Sequence, residues 1–182
     1  PGMGPGAETF LEALLKTAET LPPLVMDADG LNALARMAEG PARLPAGSVL
    51  TPHPGEMGRL VGEDLTDADR VELAQTWAAR WGQVVLLKGA FTVAAAPDGR
   101  AIIVPFANPL LGSAGSGDVL AGVVVSLRGQ GLDGFEAAAL GAYLHGAAGE
   151  LAREELGDAG LLSGELADWL PDARKRLGET RN

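Results

Sequence analysis

The sequence predicts an α/β domain, with a mostly parallel central sheet and helices on both faces. Three observations predict it. Short apolar runs alternate with helix-like stretches over most of the 182 residues. The clearest run, Val84-Val85-Leu86-Leu87, is apolar throughout, as a strand buried on both faces is. The polar or glycine-rich segments fall just after strands: Asp27, Thr51 to Glu56, Lys88 to Thr92, and Asn108 to Asp118. In such sheets ligands sit at the carboxyl ends of strands, so four segments converge on one rim.

The elements follow in order. Ala7 to Thr20 sets Phe10, Leu11, Leu14, Leu15 and Ala18 at helical spacing. Leu24 to Asp27 reads as a strand ending in an acid, and Gly30 to Ala38 as a helix. Ser48 to Thr51 is a second strand. Pro54 to Val61 is a short helix with proline at its start, where a missing N–H costs nothing. Thr66 with Asp69 resembles a capping box for a helix that runs to Trp81 and stops near Gly82. Gln83 to Lys88 is the buried strand. Phe91 to Ala96 and Ala101 to Val104 flank Pro97-Asp98-Gly99-Arg100, a hairpin with Asp-Gly turn chemistry. Helices follow over Gly117–Arg128, Gly134–Glu155 and Gly164–Leu177, with Asp133 and Ser163 as caps.

Composition narrows the chemistry. A chain of 182 residues with no cysteine cannot use a thiolate nucleophile, a disulfide scaffold or a cysteine zinc site. Two histidines make a histidine-rich metal centre a poor reading. A formal net charge of −10 argues against nucleic acid as partner, because that affinity comes from Lys and Arg on phosphates. No run of about 18 apolar residues is present, so no membrane span is expected. The opening Pro1-Gly2-Met3-Gly4 lacks the basic and apolar regions of a signal peptide, and the cytoplasm is the expected location. That opening also reads as a chain entered mid-loop, so an N-terminally truncated single domain over 1–182 is expected.

Gly115-Ser116-Gly117-Asp118, followed by an apolar helix, carries the sharpest chemistry. Glycines let the backbone approach a ligand, and the helix start offers unpaired N–H groups and partial positive charge. That suits phosphate. A carboxylate set there repels an anion, unless its task is to take a proton from a nucleophile attacking phosphate. An N-cap is the alternative use of such an Asp. Thr51-Pro52-His53-Pro54-Gly55-Glu56 holds His53 between two prolines and so presents it stiffly, to a ligand or merely at a turn. Glu56 complements the dipole of the following helix. Lys88 at a strand end can reach a phosphate, with Gly89 to Thr92 able to bond a nucleotide or simply to open the hairpin. No Gly-x-x-x-x-Gly-Lys-Ser/Thr run exists, so this is not a P-loop. Asp27 and Asp29 at a strand end can orient Mg²⁺ through water or hold a loop by hydrogen bonds, Asp27 being a rim residue, and Asn108 lines the same rim or makes a turn. His145 in Ala142-Tyr143-Leu144-His145-Gly146 reads as a satisfied core histidine.

In this order, Val25-Met26-Asp27-Ala28-Asp29-Gly30-Leu31-Asn32, Leu50-Thr51-Pro52-His53-Pro54-Gly55-Glu56-Met57, Val85 to Ala90, Gly115 to Gly122 and Ala142 to Gly146 resemble the ADP/ATP-dependent NAD(P)H-hydrate dehydratases. The resemblance spans nearly the whole chain, and the Thr-Pro-His-Pro-Gly-Glu segment is its specific part. It implies a ribokinase-like fold, a three-layer α/β/α sandwich. It implies Asp118 as the base, and Gly4, His53 and Asp118 against hydrated NAD(P)H. It implies Lys88, Gly89, Ala90, Phe91, Thr92, Gly115, Ser116 and Gly117 against ADP or ATP. Mg²⁺ is implied as cofactor, with its ligands unassigned. Leu110 and Ala114 stand where the family commonly has glycine. The family's elements preceding Gly2-Met3-Gly4 are not in this sequence, which leaves a sheet edge bare and makes a homo-oligomer expected. Two alternatives stay open: a kinase of a small alcohol, such as a thiazole or pyrimidine precursor, and a non-catalytic nucleotide-binding module.

Overall fold

Side chains of β3 (Val84–Leu87) alternate between two helical layers, and the rest of the molecule is arranged by that alternation. The computed structural model describes residues 6–179. The other strands are β1 (Val25–Met26), β2 (Val49–Leu50), β4 (Val93–Ala95) and β5 (Ala101–Ile103), in the order β1-β2-β3-β4-β5. β1, β2 and β3 are mutually parallel, while β4 pairs antiparallel with both β3 and β5. Only β4 therefore runs against the common direction, and the sheet is mixed but mostly parallel.

The helices are α1 (Ala7–Leu15), α2 (Ala28–Arg36), α3 (Pro54–Val61), α4 (Arg70–Trp81), α5 (Ser116–Gly129), α6 (Gly134–Leu156), α7 (Ser163–Asp168) and α8 (Leu170–Glu179). Leu50, Val85, Leu87, Val93 and Ala95 pack on one side against α1 to α4, through Leu11, Leu31, Leu34, Met57, Ala74 and Ala78. Val49, Val84, Leu86 and Ala94 face the other way, onto Leu120 and Val124 of α5 and Ala137, Ala138 and Ala142 of α6. A third cluster joins α6 to α7 and α8 through Leu144, Ala148, Leu151, Leu166 and Ala173.

Four boundaries differ from expectation. The first helix stops at Leu15, where Thr17 Oγ1 donates to the Leu14 carbonyl, and Phe10 is 58% exposed, off the buried face. α2 starts two residues earlier than expected and ends at Arg36, with Asp27 as its N-cap residue. α4 is capped by Asp69, whose carboxylate accepts from Val71 and Glu72 N–H, whereas the Thr66 hydroxyl donates to Asp64. The single helix expected over 164–177 is two, broken at Trp169. Pro171 has no N–H to bond back to the Ala167 carbonyl, so the hydrogen-bond ladder of α7 cannot run on through it. Ser163 is the first residue of α7 and not its cap, and Glu165 Oε2 accepts the Leu162 N–H instead, at 2.9 Å.

Candidate active site

The carboxyl ends of β1, β2 and β3 lead directly into Asp27, Thr51 and Lys88. Asp27 is the hub of a polar cluster. Its Oδ1 accepts from Thr51 Oγ1 at 2.8 Å and from Lys88 Nζ at 2.5 Å. Lys88 Nζ also lies 3.7 Å from Glu56 Oε2. Glu56 is buried, and the same Oε2 accepts the His53 N–H at 2.8 Å. His53 caps α3 in return: its Nδ1 accepts from Gly55 N–H at 3.0 Å and Glu56 N–H at 3.3 Å. A nitrogen that accepts carries no hydrogen, so the neutral ring holds its hydrogen on Nε2. That Nε2 is 3.6 Å from Glu56 Oε1, and the ring is half exposed. Glu56 thus does more than complement a dipole: it fixes the backbone of His53 and faces Lys88.

Lys88 is also part of the wall of a neighbouring cleft of about 440 Å³. Gly89, Ala90, Thr92, Asn108, Ser116 and Gly117 line the same cleft, with Val104, Phe106 and Leu120 as apolar wall. Phe91 is not among the lining residues. It is 54% exposed, its backbone is left-handed, and its N–H goes to the Phe106 carbonyl. Asp27, His53, Gly115 and Asp118 lie outside the lining too. Gly4 lies outside the described residues.

Gly115 is in the left-handed region (φ 88°), which turns the chain sharply into α5. Its carbonyl accepts from the N–H groups of Asp118 and Val119. Ser116 is internally satisfied, its hydroxyl donating to Leu111 O at 2.6 Å and its N–H to Ser113 O. Gly117 N–H has no acceptor among the described residues. A Cβ on Gly117 would stand 3.4 Å from Lys88 Nζ and 3.5 Å from Asp27 Oδ2, ordinary contact distances, so the start of α5 lies directly against that ion pair. Asp118 sits exposed in the first turn of the helix.

Asn108 Oδ1 accepts the Leu110 N–H at 2.9 Å, which caps the 3-10 turn Pro109–Gly112, while its buried Nδ2 has no partner. His145 is buried, and its Nε2 lies 2.9 Å from the Ser116 carbonyl. Burial pushes its pKa below the ordinary value, against the opposing effect of that hydrogen bond, and the Lys88 charge lowers it further. It is the satisfied core histidine expected, yet it also lines the cleft and holds the first residue of α5. Sequence reasoning missed Arg70, whose guanidinium donates to the carbonyls of Leu87, Lys88 and Ala90. Its signal was a cation at a helix N-terminus, where the dipole disfavours one.

A family model for NAD(P)H-hydrate dehydratase matches residues 1–172. The bifunctional NAD(P)H-hydrate repair enzyme of Moorella thermoacetica is 46% identical over 183 residues, covering 97% of this chain and 34% of that protein. The ADP-dependent (S)-NAD(P)H-hydrate dehydratase of Neisseria meningitidis serogroup B is 44% identical, over 97% of this chain and 61% of that one. The ADP/ATP-dependent NAD(P)H-hydrate dehydratase of Bacillus subtilis, co-crystallised with ATP/Mg²⁺, superposes with TM-score 0.82 at 35% identity, covering 93% of this chain and 60% of that chain. A ribokinase-like superfamily protein of Enterococcus faecalis, 23% identical with TM-score 0.79, shares the fold over 96% of this chain and 60% of its own. The chain thus spans about a third of the bifunctional relative and three-fifths of the dehydratases. With its architecture ribokinase-like and its sequence matched over 1–172, the chain belongs to the NAD(P)H-hydrate dehydratase family.

Proposed function

We propose that this chain, as one ribokinase-like domain over residues 1–182, catalyses the ADP- or ATP-dependent dehydration of the S-epimer of hydrated NAD(P)H. The reaction restores NAD(P)H and releases AMP or ADP with phosphate. The observation that carries the reading is that Gly89 and Gly117, whose N–H groups have no acceptor among the described residues, line one cleft, while Asp118 follows Gly117 on the first turn of α5 at the edge of that lining. The Asp118 carboxylate takes the proton of the hydrate's hydroxyl, and the freed oxygen attacks the terminal phosphorus of the nucleotide. The bond from that phosphorus to the bridging oxygen breaks, and AMP or ADP departs with the electron pair. The ring carbon–oxygen bond then breaks with phosphate as leaving group, a neighbouring ring carbon loses a proton, and the double bond returns. The backbone N–H groups of Gly115 and Gly117, which have no acceptor among the described residues, steady the transferring group.

His53, with Gly4, contacts the hydrate in this reading. Lys88 to Thr92 and Gly115 to Gly117 contact the adenine nucleotide, and Asp27 and Asn108 form the rim. No three acidic or histidine side chains gather as a metal site among the described residues. Mg²⁺ enters as the nucleotide's complex and offsets phosphate charge. A cytoplasmic setting and assembly of several copies go with the reading. Among the described residues β1 pairs with β2 and with no other strand, an edge that a second copy could cover. Nucleic acid and membrane partners are not part of it, and no helix among the described residues is long and apolar enough to cross a membrane. The alcohol-kinase and non-catalytic readings are not favoured, because the relatives above 40% identity carry the hydrate-repair and dehydratase names.

The test is recovery of the reduced-nicotinamide absorbance when NADH hydrate, Mg²⁺ and ADP are mixed with the chain. Absence of recovery with a folded chain, or a stable phosphorylated product, refutes the reading.

A further inference from the structure

Arg70 opens α4, where a positive charge works against the helix dipole. It forms no ion pair with a carboxylate among the described residues, and its Nε is buried without a partner. Both are unfavourable for a guanidinium that serves only α4. Its fork points elsewhere: Nη1 donates to Ala90 O at 2.6 Å, and Nη2 to Leu87 O at 3.0 Å and Lys88 O at 3.1 Å.

In a trans peptide the carbonyl and the following N–H point in opposite directions. Each carbonyl held by Arg70 therefore turns one N–H away from it. The Lys88 N–H goes to Pro52 O at 2.8 Å, and the Phe91 N–H to Phe106 O at 2.8 Å. The third, Gly89 N–H, finds no acceptor among the described residues, and Gly89 lines the cleft. The loop is thus gripped from behind by one cation and pinned in front at both ends, which leaves the Gly89 and Ala90 N–H groups between the pins without an acceptor among the described residues; of the two, only Gly89 N–H follows a carbonyl that Arg70 holds. Gly89 is required twice over. Its φ is +145°, and a Cβ there would stand 2.9 Å from Arg70 Nη2.

We propose that Arg70 is the positioning residue of the nucleotide site: by holding three backbone carbonyls it aims the Gly89 N–H at an acceptor atom of the adenine nucleotide. The proposal rests on the functional reading above and adds to it a residue that touches no substrate. Only a planar fork reaches all three carbonyls. The single ammonium of a lysine cannot reproduce it.

The test compares wild type with Arg70→Lys, Arg70→Gln, Arg70→Ala and Gly89→Ala, using calorimetric titration with ADP and steady-state kinetics for ADP and for NADH hydrate. Arg70→Lys and Arg70→Gln are expected to weaken ADP binding about tenfold or more, the scale of one or two lost charge-assisted hydrogen bonds. The KM for hydrate should move less than about twofold, because uniform loss of fold would affect both ligands. Gly89→Ala, with Arg70 intact, should reproduce the same nucleotide-selective loss. Guanidinium ion at millimolar concentration should restore ADP affinity to Arg70→Ala, and urea should not. Unchanged ADP affinity in folded Arg70→Lys and Arg70→Gln, or equal losses for both ligands, overturns the proposal alone. Failure of the wild-type chain to bind ADP overturns the functional reading and the proposal together.

Discussion

Lys88 and Asp27, 61 residues apart in sequence, meet at 2.5 Å across the carboxyl ends of β3 and β1. The cation at the mouth of the cleft is thereby committed before any ligand arrives, with Glu56 as its second carboxylate at 3.7 Å. Lys88→Met leaves two sheltered carboxylates without their counter-charge. We expect a loss of about 2–3 kcal/mol, below the full range for a buried pair because both ion-pair side chains keep some water. The double change Lys88→Met with Asp27→Asn should recover most of it. Urea denaturation of the single and double variants measures the difference, and equal losses in both would remove the pairing as the cause.

Asp118 stands exposed at the first turn of α5, with none of the buried contacts that hold Asp27. Asp118→Asn should reduce kcat at least about 100-fold by loss of the base. ADP affinity should stay within about threefold, since the backbone donors are untouched. Single-turnover kinetics beside calorimetric titration separates the two, and turnover surviving the change would reassign the base.

His53 presents one ring nitrogen to its own helix and the other edge to solvent. His53→Ala should lose about 1 kcal/mol of stability through the missing cap, and His53→Asn should keep it. Both should weaken the hydrate more than ADP. If His53→Asn restores hydrate KM as well as stability, the imidazole has no role beyond capping.

His145 titrates below the ordinary histidine value because burial penalises its charged form. In the unfolded chain it takes up a proton near pH 6.5, while the folded chain resists it. The unfolded state then binds more protons, so this contribution to stability is intact above about pH 6.5 and is lost as pH falls towards the lower folded value, at up to about 1.4 kcal/mol per pH unit. His145→Gln, which keeps a donor for Ser116 O, should flatten that stretch of the pH–stability curve. An unchanged slope would place the effect elsewhere.

The sheet was legible because β3 is apolar at every position, and the start of α3 because Pro54 marks it. The glycine-rich entry to α5 was legible because few other residues adopt the φ of Gly115. What escaped the sequence was partner choice. Thr66 and Asp69 have equal capping chemistry, and only the bond from Thr66 to Asp64 removes the first from contention. The helix break at Trp169 was written in Pro171, but a proline near a helix start is also compatible with an unbroken one. The ties of Lys88 to Asp27, and of Arg70 to three carbonyls, join segments 17 to 61 residues apart. No local pattern encodes such pairs.

β5 carries Ile102 and Ile103 at 46% and 52% exposure, on a strand that among the described residues pairs with β4 alone. Its free side is a ready template for any extended apolar chain, including another molecule of the same protein caught while refolding. Ile103→Lys is therefore expected to slow aggregation in concentrated solution by placing a charge on that edge.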